Sequence, residues 1–362
     1  MRIAMGRTWR VFGCAAAIVG GSRLAAAQMP AGQDFVMHDF HFTSGERLPE
    51  LRLHYRTFGA VHRDAAGHVT NAVLIMHGTT GAGTQFIRPE FSGELFGPGQ
   101  LLDTARYFVI LPDDIGHGAS SKPSDGLRAK FPQYGYADMV SAEHQLVTDG
   151  LHVDHLRLVM GTSMGCMHSW MWGERYPTFM DGLVPLACVP TQIAGRNRMW
   201  RDMAMDDIRD DPAWQSGNYQ TQPAGLAGAS RMILMVSSNP IQYQKAAPTR
   251  DAADSLLATR VKALVAASDA NDMLYQVASS GDYDPSAQLE RIAAPVLAIN
   301  SADDVVNPPE LGLMEKLIPR VAHARYVLIP LSDATRGHGT HTMAAVWKSY
   351  LTAFMATLPP MR

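Results

Sequence analysis

The pentapeptide Gly161-Thr162-Ser163-Met164-Gly165 constrains the fold of this chain more than any other sequence feature. It follows an apolar run at 156–160 and precedes residues 166–176, which can form a helix. Glycines on both sides of a serine permit a sharp turn in which a Cβ atom would collide. The N-terminus of the following helix favours negative charge beside the serine. The pattern predicts a strand, a tight turn and a helix with Ser163 as nucleophile; a structural Gly-Ser turn is the alternative.

Short apolar runs rich in β-forming residues recur along the chain, bounded by Gly, Pro or Asp. They cover residues 72–77, 107–112, 156–161, 183–189, 295–300 and 325–330. Most are apolar nearly throughout, as expected of strands buried on both faces of a mainly parallel sheet. Residues 51–58 alternate more and indicate an edge strand. Because helical segments separate these runs, we predict an α/β protein, and the serine turn specifies the α/β-hydrolase fold.

One long segment, at about 191–286, breaks the alternation of strands and helices. It has no convincing buried strand, but amphipathic helical stretches at 199–208, 225–235 and 252–267. We predict a helical cap here, inserted into an α/β-hydrolase domain that spans 28–362. The core of that domain would then comprise residues 28–190 and 287–362.

The first 27 residues differ from the rest of the chain. Three arginines precede an apolar stretch at 11–21, and Ala25-Ala26-Ala27 precede Gln28. This is the order of a secretory signal peptide, so we expect a periplasmic or secreted protein; a misassigned start or a membrane anchor are the alternatives. No later segment reaches the ~18 apolar residues of a transmembrane helix, so no stable membrane insertion is expected.

Charge and motif content exclude several classes of partner. The chain has 31 basic and 34 acidic residues, a formal charge of −3, without the basic excess of a nucleic-acid-binding protein. It lacks a glycine-rich phosphate loop, and His338-x-x-His341 has no third ligand nearby in the sequence, so we expect neither cofactor nor metal. Cys166 and Cys188 could form a disulfide in an exported protein, but both lie in apolar surroundings, and we expect free thiols.

A serine nucleophile needs a base and an orienting carboxylate, which in this fold follow in the order Ser, Asp or Glu, His. Asp303 and Asp304 follow the run at 295–300, and His338 and His341 follow the run at 325–330. Both pairs would lie at the carboxyl ends of strands, where active sites of α/β sheets occur. Flanking glycines leave room for the ring of His338 and favour it over His341. Only one of the adjacent aspartates can reach the base.

An oxyanion hole in this fold uses two backbone N–H groups. One would come from Met164, directly after the nucleophile, and the other from the loop at 77–81, where Thr79 is our candidate. We interpret His77 as a packed, hydrogen-bonded residue rather than a catalyst.

With these residues identified, the chain resembles the homoserine O-acetyltransferase family of α/β hydrolases over nearly all of 28–362. The similar segments are 114–120, 131–132, 138–140, 163–167 and 175–177, with 211–214, 217–219 and 225–226 in the cap. In that family three residues separate the acid from a Pro-Pro pair, which implies Asp304. The family's base follows a glycine, which supports His338.

Two departures from the family concern the substrate. Members that use homoserine carry an aspartate directly after the base, which holds the amino group, and this chain has Gly339. They also carry an arginine that clamps the carboxylate, at the position of Met205. A buried zwitterion without counter-charges is strongly penalised, although Arg201 or Arg209 could replace the clamp.

Together these features predict an exported serine hydrolase that cleaves a small-molecule carboxylic ester. An exported enzyme would not meet acetyl-CoA, so water is the expected acceptor. The alternatives are an O-acyltransferase with a changed acceptor and a non-catalytic binding protein. Trp200, Trp214 and Tyr219 are candidate substrate contacts in a cap lining that includes Met199 and Met203, with plain cap packing as the alternative. The cap is a candidate homodimer interface.

Overall fold

The computed structural model describes residues 30–361, so the predicted signal peptide lies outside the described residues. Within them the strands form one eight-stranded sheet. The strands are β1 (Gln33–His41), β2 (Arg47–Phe58), β3 (Ala72–Met76), β4 (Phe108–Pro112), β5 (Leu158–Thr162), β6 (Leu183–Leu186), β7 (Val296–Ser301) and β8 (Ala324–Ile329).

Helices pack around the sheet and fill the segment between β6 and β7. They are α1 (Ser92–Leu95), α2 (Tyr136–Gln145), α3 (Met164–Arg175), α4 (Gly195–Arg209), α5 (Gly225–Val236), α6 (Pro240–Ala246), α7 (Arg250–Ala266), α8 (Ala270–Ala278), α9 (Leu313–Leu317) and α10 (Ala344–Met355). Among the described residues, none of the helices has the length and apolar character needed to cross a bilayer.

The strand order is β1-β2-β4-β3-β5-β6-β7-β8, and the sheet is parallel from β4 to β8. Strands β1 and β2 run antiparallel at one edge. The predicted mainly parallel α/β-hydrolase fold is therefore confirmed. Sequence analysis missed β1, in which only Met37 and Phe40 are buried and Asp39 has a left-handed backbone, so no regular alternation appears.

Both faces of the central strands are buried, as their unbroken apolar sequences predict. In β3, Leu74 and Met76 pack into one core cluster, whereas Val73 and Ile75 pack into the cluster on the opposite face. Each fully buried aliphatic side chain of this kind contributes about 1.5–3 kcal/mol to stability. The carboxyl ends of these strands are thereby held rigidly along one edge, where the loops that follow them meet.

Within residues 30–361, the chain between β6 and β7 contains α4 to α8 and no strand; we call residues 187–295 the helical insertion. Its interior is a separate small apolar cluster formed mainly by α4, α5 and α8. Side-chain caps fix the starts of three helices: Asn239 caps α6, Thr249 caps α7 and Asp269 caps α8. The polar residues between the amphipathic stretches therefore divide the insertion into short helices.

Cys166 and Cys188 form a disulfide, with Cα atoms 5.9 Å apart, so the expectation of free thiols is wrong. The topology explains the pairing. Strands β5 and β6 are parallel neighbours, and α3 connects them. Cys166 lies in the first turn of α3 and Cys188 two residues beyond β6, which places both at the same edge of the sheet. Apolar surroundings indicated only that thiols would be tolerated.

Removing this disulfide is expected to lower the free energy of unfolding by about 3 kcal/mol, because the bond closes a loop of ~22 residues in the unfolded chain. Urea unfolding of the Cys166→Ala/Cys188→Ala variant measures the loss. Wild-type protein unfolded under a reducing agent is the matched comparison and should show a similar decrease. Equal stability of all three samples would contradict the expectation.

Candidate active site

The backbone at Ser163 has the sharp turn that the pentapeptide predicts. Ser163 lies between β5 and α3 with φ +56° and ψ −108°, a strained conformation for a non-glycine residue. Its N–H donates to the carbonyl of Leu186 at 2.9 Å. A Cβ on Gly161 would strike the backbone of Gly165, and one on Gly165 would strike the carbonyl of Met76. Both glycines are therefore required for the turn that presents the serine.

Ser163, His338 and Asp304 form one hydrogen-bonded series. The Ser163 Oγ atom lies 2.8 Å from His338 Nε2, and His338 Nδ1 lies 2.8 Å from Asp304 Oδ2. The histidine and aspartate are buried, whereas Ser163 is partly exposed. If Nδ1–H donates to the carboxylate, Nε2 is free to accept the serine proton. This geometry suits transfer of that proton during attack on an acyl carbon.

The Asp304 carboxylate is held in its ionised form. The backbone N–H groups of Val306 and Asn307 donate to its Oδ1 atom at 2.8 and 3.2 Å. Burial raises its pKa, but the adjacent His338 and these two N–H groups outweigh burial, so the pKa lies below its usual value. An ionised Asp304 can orient the imidazole and stabilise its protonated form.

The structure distinguishes between the adjacent aspartates and between the two histidines that the sequence left as alternatives. Asp303 accepts from the Gly337 N–H at 3.0 Å and contacts a different part of the loop. The His341 ring lies edge-on to His338, with ring centroids 5.1 Å apart. Burial, followed by the neighbouring His338, lowers the pKa of His341 to about 3, so this ring stays neutral. The structure thus brings Asp304 and His338, but not Asp303 or His341, into the series with Ser163.

The loop after β3 approaches the nucleophile closely. A Cβ on Gly78 would lie 3.3 Å from the Cβ of Ser163, so a small residue is needed here. Among the residues that the structure describes, the backbone N–H groups of Thr79 and Met164 have no hydrogen-bond acceptor. Two unpaired N–H groups beside a nucleophile can stabilise a tetrahedral oxyanion, and each such donor typically contributes about 3–4 kcal/mol.

A buried polar cluster that the sequence analysis did not identify lies beneath the active-site loops. Asp114, Glu143 and His168 are fully buried, and their donor atoms lie within 4.8 Å of one another. Glu143 accepts from the Trp172 indole N–H at 2.7 Å and lies 2.8 Å from His168 Nδ1. Three separate elements supply these groups, so no local spacing indicated them. Oxygen and nitrogen donors of this kind could hold a metal ion; the expected absence of a metal stays a prediction.

Glu143 should make stability depend on pH. Burial raises its pKa from 4.5 to about 7, so the folded protein keeps a proton that the unfolded chain releases near pH 4.5. The free energy of unfolding should therefore fall, by roughly 3 kcal/mol, as pH rises from about 4.5 to about 7. Urea unfolding of wild type and Glu143→Gln over this range measures the effect. The exposed Glu50→Gln variant is the control, and identical pH slopes in all three proteins would contradict the assignment.

An open cleft of about 640 Å³ adjoins the base between the core and the helical insertion. Gly339 and His341 line it from the base side, and Thr80 and Gly81 line it from the loop after β3. Its other lining residues include the polar or charged Gln85, Arg88, Lys122, Asp269, Asp272 and Gln276. The cleft therefore suits a polar part of a ligand.

The structure places the predicted substrate contacts elsewhere in the insertion. Trp200 packs against Val236 and Val306, the latter two residues after Asp304. Trp214 and Tyr219 pack in the apolar interior of the helical insertion and do not line the cleft. Met199 and Met203, which the sequence suggested as lining, are 64% and 52% exposed. Substrate contact by Trp200, Trp214 and Tyr219 stays a prediction.

Comparisons with known proteins agree with this architecture. Residues 71–332 match the family described as α/β hydrolase fold. A homoserine O-acetyltransferase from Moorella thermoacetica is 31% identical over 348 residues, 82% of this chain and 88% of that protein. The homoserine O-acetyltransferase structure from Bacillus anthracis has a TM-score of 0.79 at 21% identity, covering 92% of this chain and 100% of its own. Esterase E22 has a TM-score of 0.77 at 20% identity, with coverage of 90% and 100%.

Proposed function

This chain belongs to the α/β-hydrolase superfamily and, within it, to the homoserine O-acetyltransferase-like family, and from that premise we propose that it is an exported serine hydrolase that cleaves carboxylic esters. The observation that carries the proposal is the continuous hydrogen-bonded series from Ser163 through His338 to Asp304. Esterases and acyltransferases share this chemistry up to the acyl-enzyme, so the acceptor decides between them.

The proposed reaction proceeds in two halves. Ser163 Oγ attacks the acyl carbon while His338 Nε2 takes the hydroxyl proton, and the N–H groups of Met164 and Thr79 stabilise the oxyanion. Collapse of this intermediate breaks the ester bond, and His338 returns the proton to the departing alcohol. Water then attacks the acyl-enzyme with His338 again as base, which releases the carboxylic acid and restores Ser163. Asp304 holds the imidazole in position throughout.

Two positions favour water over homoserine as acceptor. Gly339 lines the cleft beside the base and offers no charge to an ammonium group. Met205 is buried in the interior of the helical insertion and offers none to a carboxylate. An amino-acid acceptor whose charged ends lost their hydration at these two positions would lack counter-charges there, at a cost of several kcal/mol, and could gain them only from the charged residues elsewhere in the cleft.

Arg201 favours a second candidate, an acyltransferase or esterase whose substrate carries a carboxylate. Its side chain is only 2% exposed, and its guanidinium donates to Asn197 Oδ1 at 3.1 Å and Ser280 Oγ at 3.3 Å. Within the described residues no carboxylate pairs with it, and it stacks on Trp200 instead. Because a buried unpaired cation is costly, a ligand carboxylate would find a ready partner here.

Export is part of the proposal. The basic, apolar and small residues of 1–27 support it, and so does the Cys166–Cys188 disulfide, because disulfides persist in oxidising compartments. The proposed partner is a small-molecule ester without cofactor or metal. A homodimer through the helical insertion is also proposed, supported by the exposed apolar side chains of Met235 and Leu257 on α5 and α7.

Trapping the acyl-enzyme tests the proposal. The protein from Gln28 onward would be mixed with p-nitrophenyl acetate, quenched in acid and digested, and its peptides examined by mass spectrometry. We expect acetylated Ser163 together with a burst of p-nitrophenol close to one equivalent per enzyme. Failure of both acetylation and fluorophosphonate labelling at Ser163 would instead favour a non-catalytic binding protein.

A further inference from the structure

Three separate segments meet at the carboxylate of Asp303, the residue before the proposed catalytic acid. The Gly337 N–H donates to its Oδ2 atom at 3.0 Å, and Asn239 Nδ2 donates to the same atom at 2.5 Å. The Ser301 hydroxyl donates to Oδ1. Ser301 ends β7, Asn239 belongs to the helical insertion, and Gly337 directly precedes His338. One side chain therefore connects the sheet, the insertion and the loop that carries the base.

Residues 332–337 form the loop that precedes His338, and we call this segment the base loop. The insertion makes further contacts with it. Gln242 in α6 donates from Nε2 to the carbonyls of Asp333 and Thr335 at 3.0 and 3.3 Å. Asn239 also caps α6, because its Oδ1 atom accepts the backbone N–H of Gln242 at 2.9 Å. Asn239 is buried, whereas the Lys245–Asp333 ion pair of the same face is exposed and adds little. The start of α6 is thus connected to the base loop by two hydrogen bonds from Gln242, one exposed and one partly buried, and to Asp303 by a partly buried hydrogen bond from Asn239.

We propose that Asp303 is a positioning residue for the catalytic base, through which the helical insertion sets the location of His338. The inference rests on the proposed function, since His338 is a base only if Ser163 is the nucleophile. Adjacent aspartates then have separate tasks. Asp304 orients the imidazole ring directly, whereas Asp303 holds the backbone from which that ring projects.

The backbone at Gly337 explains why such a hold is needed. Gly337 has φ +61°, a left-handed conformation that glycine adopts readily but that also leaves the chain free to adopt others. A Cβ there would approach the carbonyls of Ser238 and Asp303 at 3.1 and 3.2 Å, so the base loop is pressed against both neighbours. The Asp303 carboxylate selects one conformation by accepting the Gly337 N–H. Without the Asp303 carboxylate, the backbone directly before His338 loses a hydrogen bond that helps to keep the His338 ring 2.8 Å from Ser163.

The consequence is that the insertion and the catalytic base are coupled. Displacement of α6 would pull Asn239 away from Asp303, and the Gly337 N–H would lose part of its anchor. Because a misplacement of about 1 Å can cost ~100-fold in rate, a small movement of the insertion would suffice to change turnover. Among the described residues, Asn239 makes no hydrogen bond to Ser163, His338 or Asp304, yet this coupling predicts that it affects kcat.

Steady-state hydrolysis of p-nitrophenyl acetate by three variants tests the inference. Asp303→Ala should lower kcat by about 10–100-fold with KM nearly unchanged, because the base is displaced but the cleft is not. Asp303→Asn should recover most of that loss, since its amide oxygen still accepts the Gly337 N–H. Asn239→Ala should lower kcat by about 3–10-fold, and it should add nothing in the Asp303→Ala background.

The kinetics of fully folded enzyme separate positioning from mere stability. Partial unfolding would lower kcat only in proportion to the unfolded fraction, whereas displacement of the base lowers kcat of the folded enzyme, so unfolding curves should be recorded beside the kinetics. Unchanged kcat in Asp303→Ala would overturn the inference, as would an equal loss in Asp303→Asn. If Asp303→Ala does not fold, an Asn239→Ala enzyme with wild-type kcat overturns it. If the wild type turns over the ester and Ser163→Ala does not, the proposed function stands whatever the Asp303 variants show. If the wild type shows no such turnover, the proposed function and the role of Asp303 are both contradicted.

Discussion

Replacement of Ser163 by alanine is expected to lower kcat for p-nitrophenyl acetate by about 10⁴–10⁶-fold. The variant lacks the Oγ atom, which lies 2.8 Å from His338 Nε2 in the wild type. Because this oxygen is the proposed nucleophile, the acyl-enzyme cannot form. Alanine adopts the same backbone at no greater steric cost, so the turn between β5 and α3 should persist. The remaining rate would come from stabilisation of the oxyanion by Thr79 and Met164 while water attacks directly.

Steady-state kinetics with matched thermal unfolding measures this effect. Ser169→Ala is the control, because Ser169 is a buried serine in α3, the helix that follows Ser163, and its hydroxyl donates to the Gly165 carbonyl. That variant should keep most of its activity. If Ser163→Ala retained more than about one hundredth of the wild-type kcat at unchanged folding, another group would have to be the nucleophile.

His338→Ala is expected to cause a loss comparable to that of Ser163→Ala, about 10⁴–10⁶-fold in kcat. Without its imidazole, Ser163 has no proton acceptor, and Asp304 lies beyond the missing ring and cannot replace it. His341→Ala should be mild, because that ring has a pKa of about 3, stays neutral and contacts neither Ser163 nor Asp304 in the series. Its backbone carbonyl, which accepts the Trp347 indole N–H, is retained in the variant.

The comparison of the two histidines requires that both variants fold. His341 is partly buried and packs edge-on against His338, so its variant can lose stability without losing chemistry, and unfolding curves should be recorded beside the kinetics. A larger loss in kcat for His341→Ala than for His338→Ala, at equal folded fraction, would show that the base is assigned to the wrong residue.

Strands buried on both faces were predictable because their sequences have no polar side. The runs at 72–77, 107–112 and 295–300 correspond to β3, β4 and β7. The run at 183–189 became a strand of only four residues, because Ala187 has φ +67° and the chain leaves the sheet there. Local patterns gave no sign of this reversal, and they missed β1, which is mostly exposed.

Features of the candidate site could be predicted when their residues lie close together in the sequence, and not when distant segments form them. The Ser163 turn is local, so its glycines and its following helix were readable. The pairing of Cys166 with Cys188 and the cluster of Asp114, Glu143 and His168 depend on which elements meet in space, and no spacing rule indicated them. The choice between adjacent aspartates required the family resemblance, since residue type alone is the same at both positions.

The lining of the cleft was the feature that composition predicted least well. Methionine and aromatic residues in 199–219 suggested an apolar binding surface, yet Met199 and Met203 face solvent and Tyr219 packs inside the helical insertion. A helix of mixed polarity does not reveal which of its faces meets the active site until its neighbours are known. The polar and charged side chains near Gly339 instead suit a polar part of a ligand.

The most direct test of the central claim is product identification when both acceptors are present. The protein from Gln28 onward would turn over p-nitrophenyl acetate with and without L-homoserine, with Ser163→Ala as control and mass spectrometry of all acetylated products. We predict Ser163-dependent release of acetate alone, at a rate that homoserine does not change. Ser163-dependent formation of O-acetylhomoserine would contradict the hydrolase assignment and show that other residues, with Arg201 the first candidate, replace the charges absent at Gly339 and Met205.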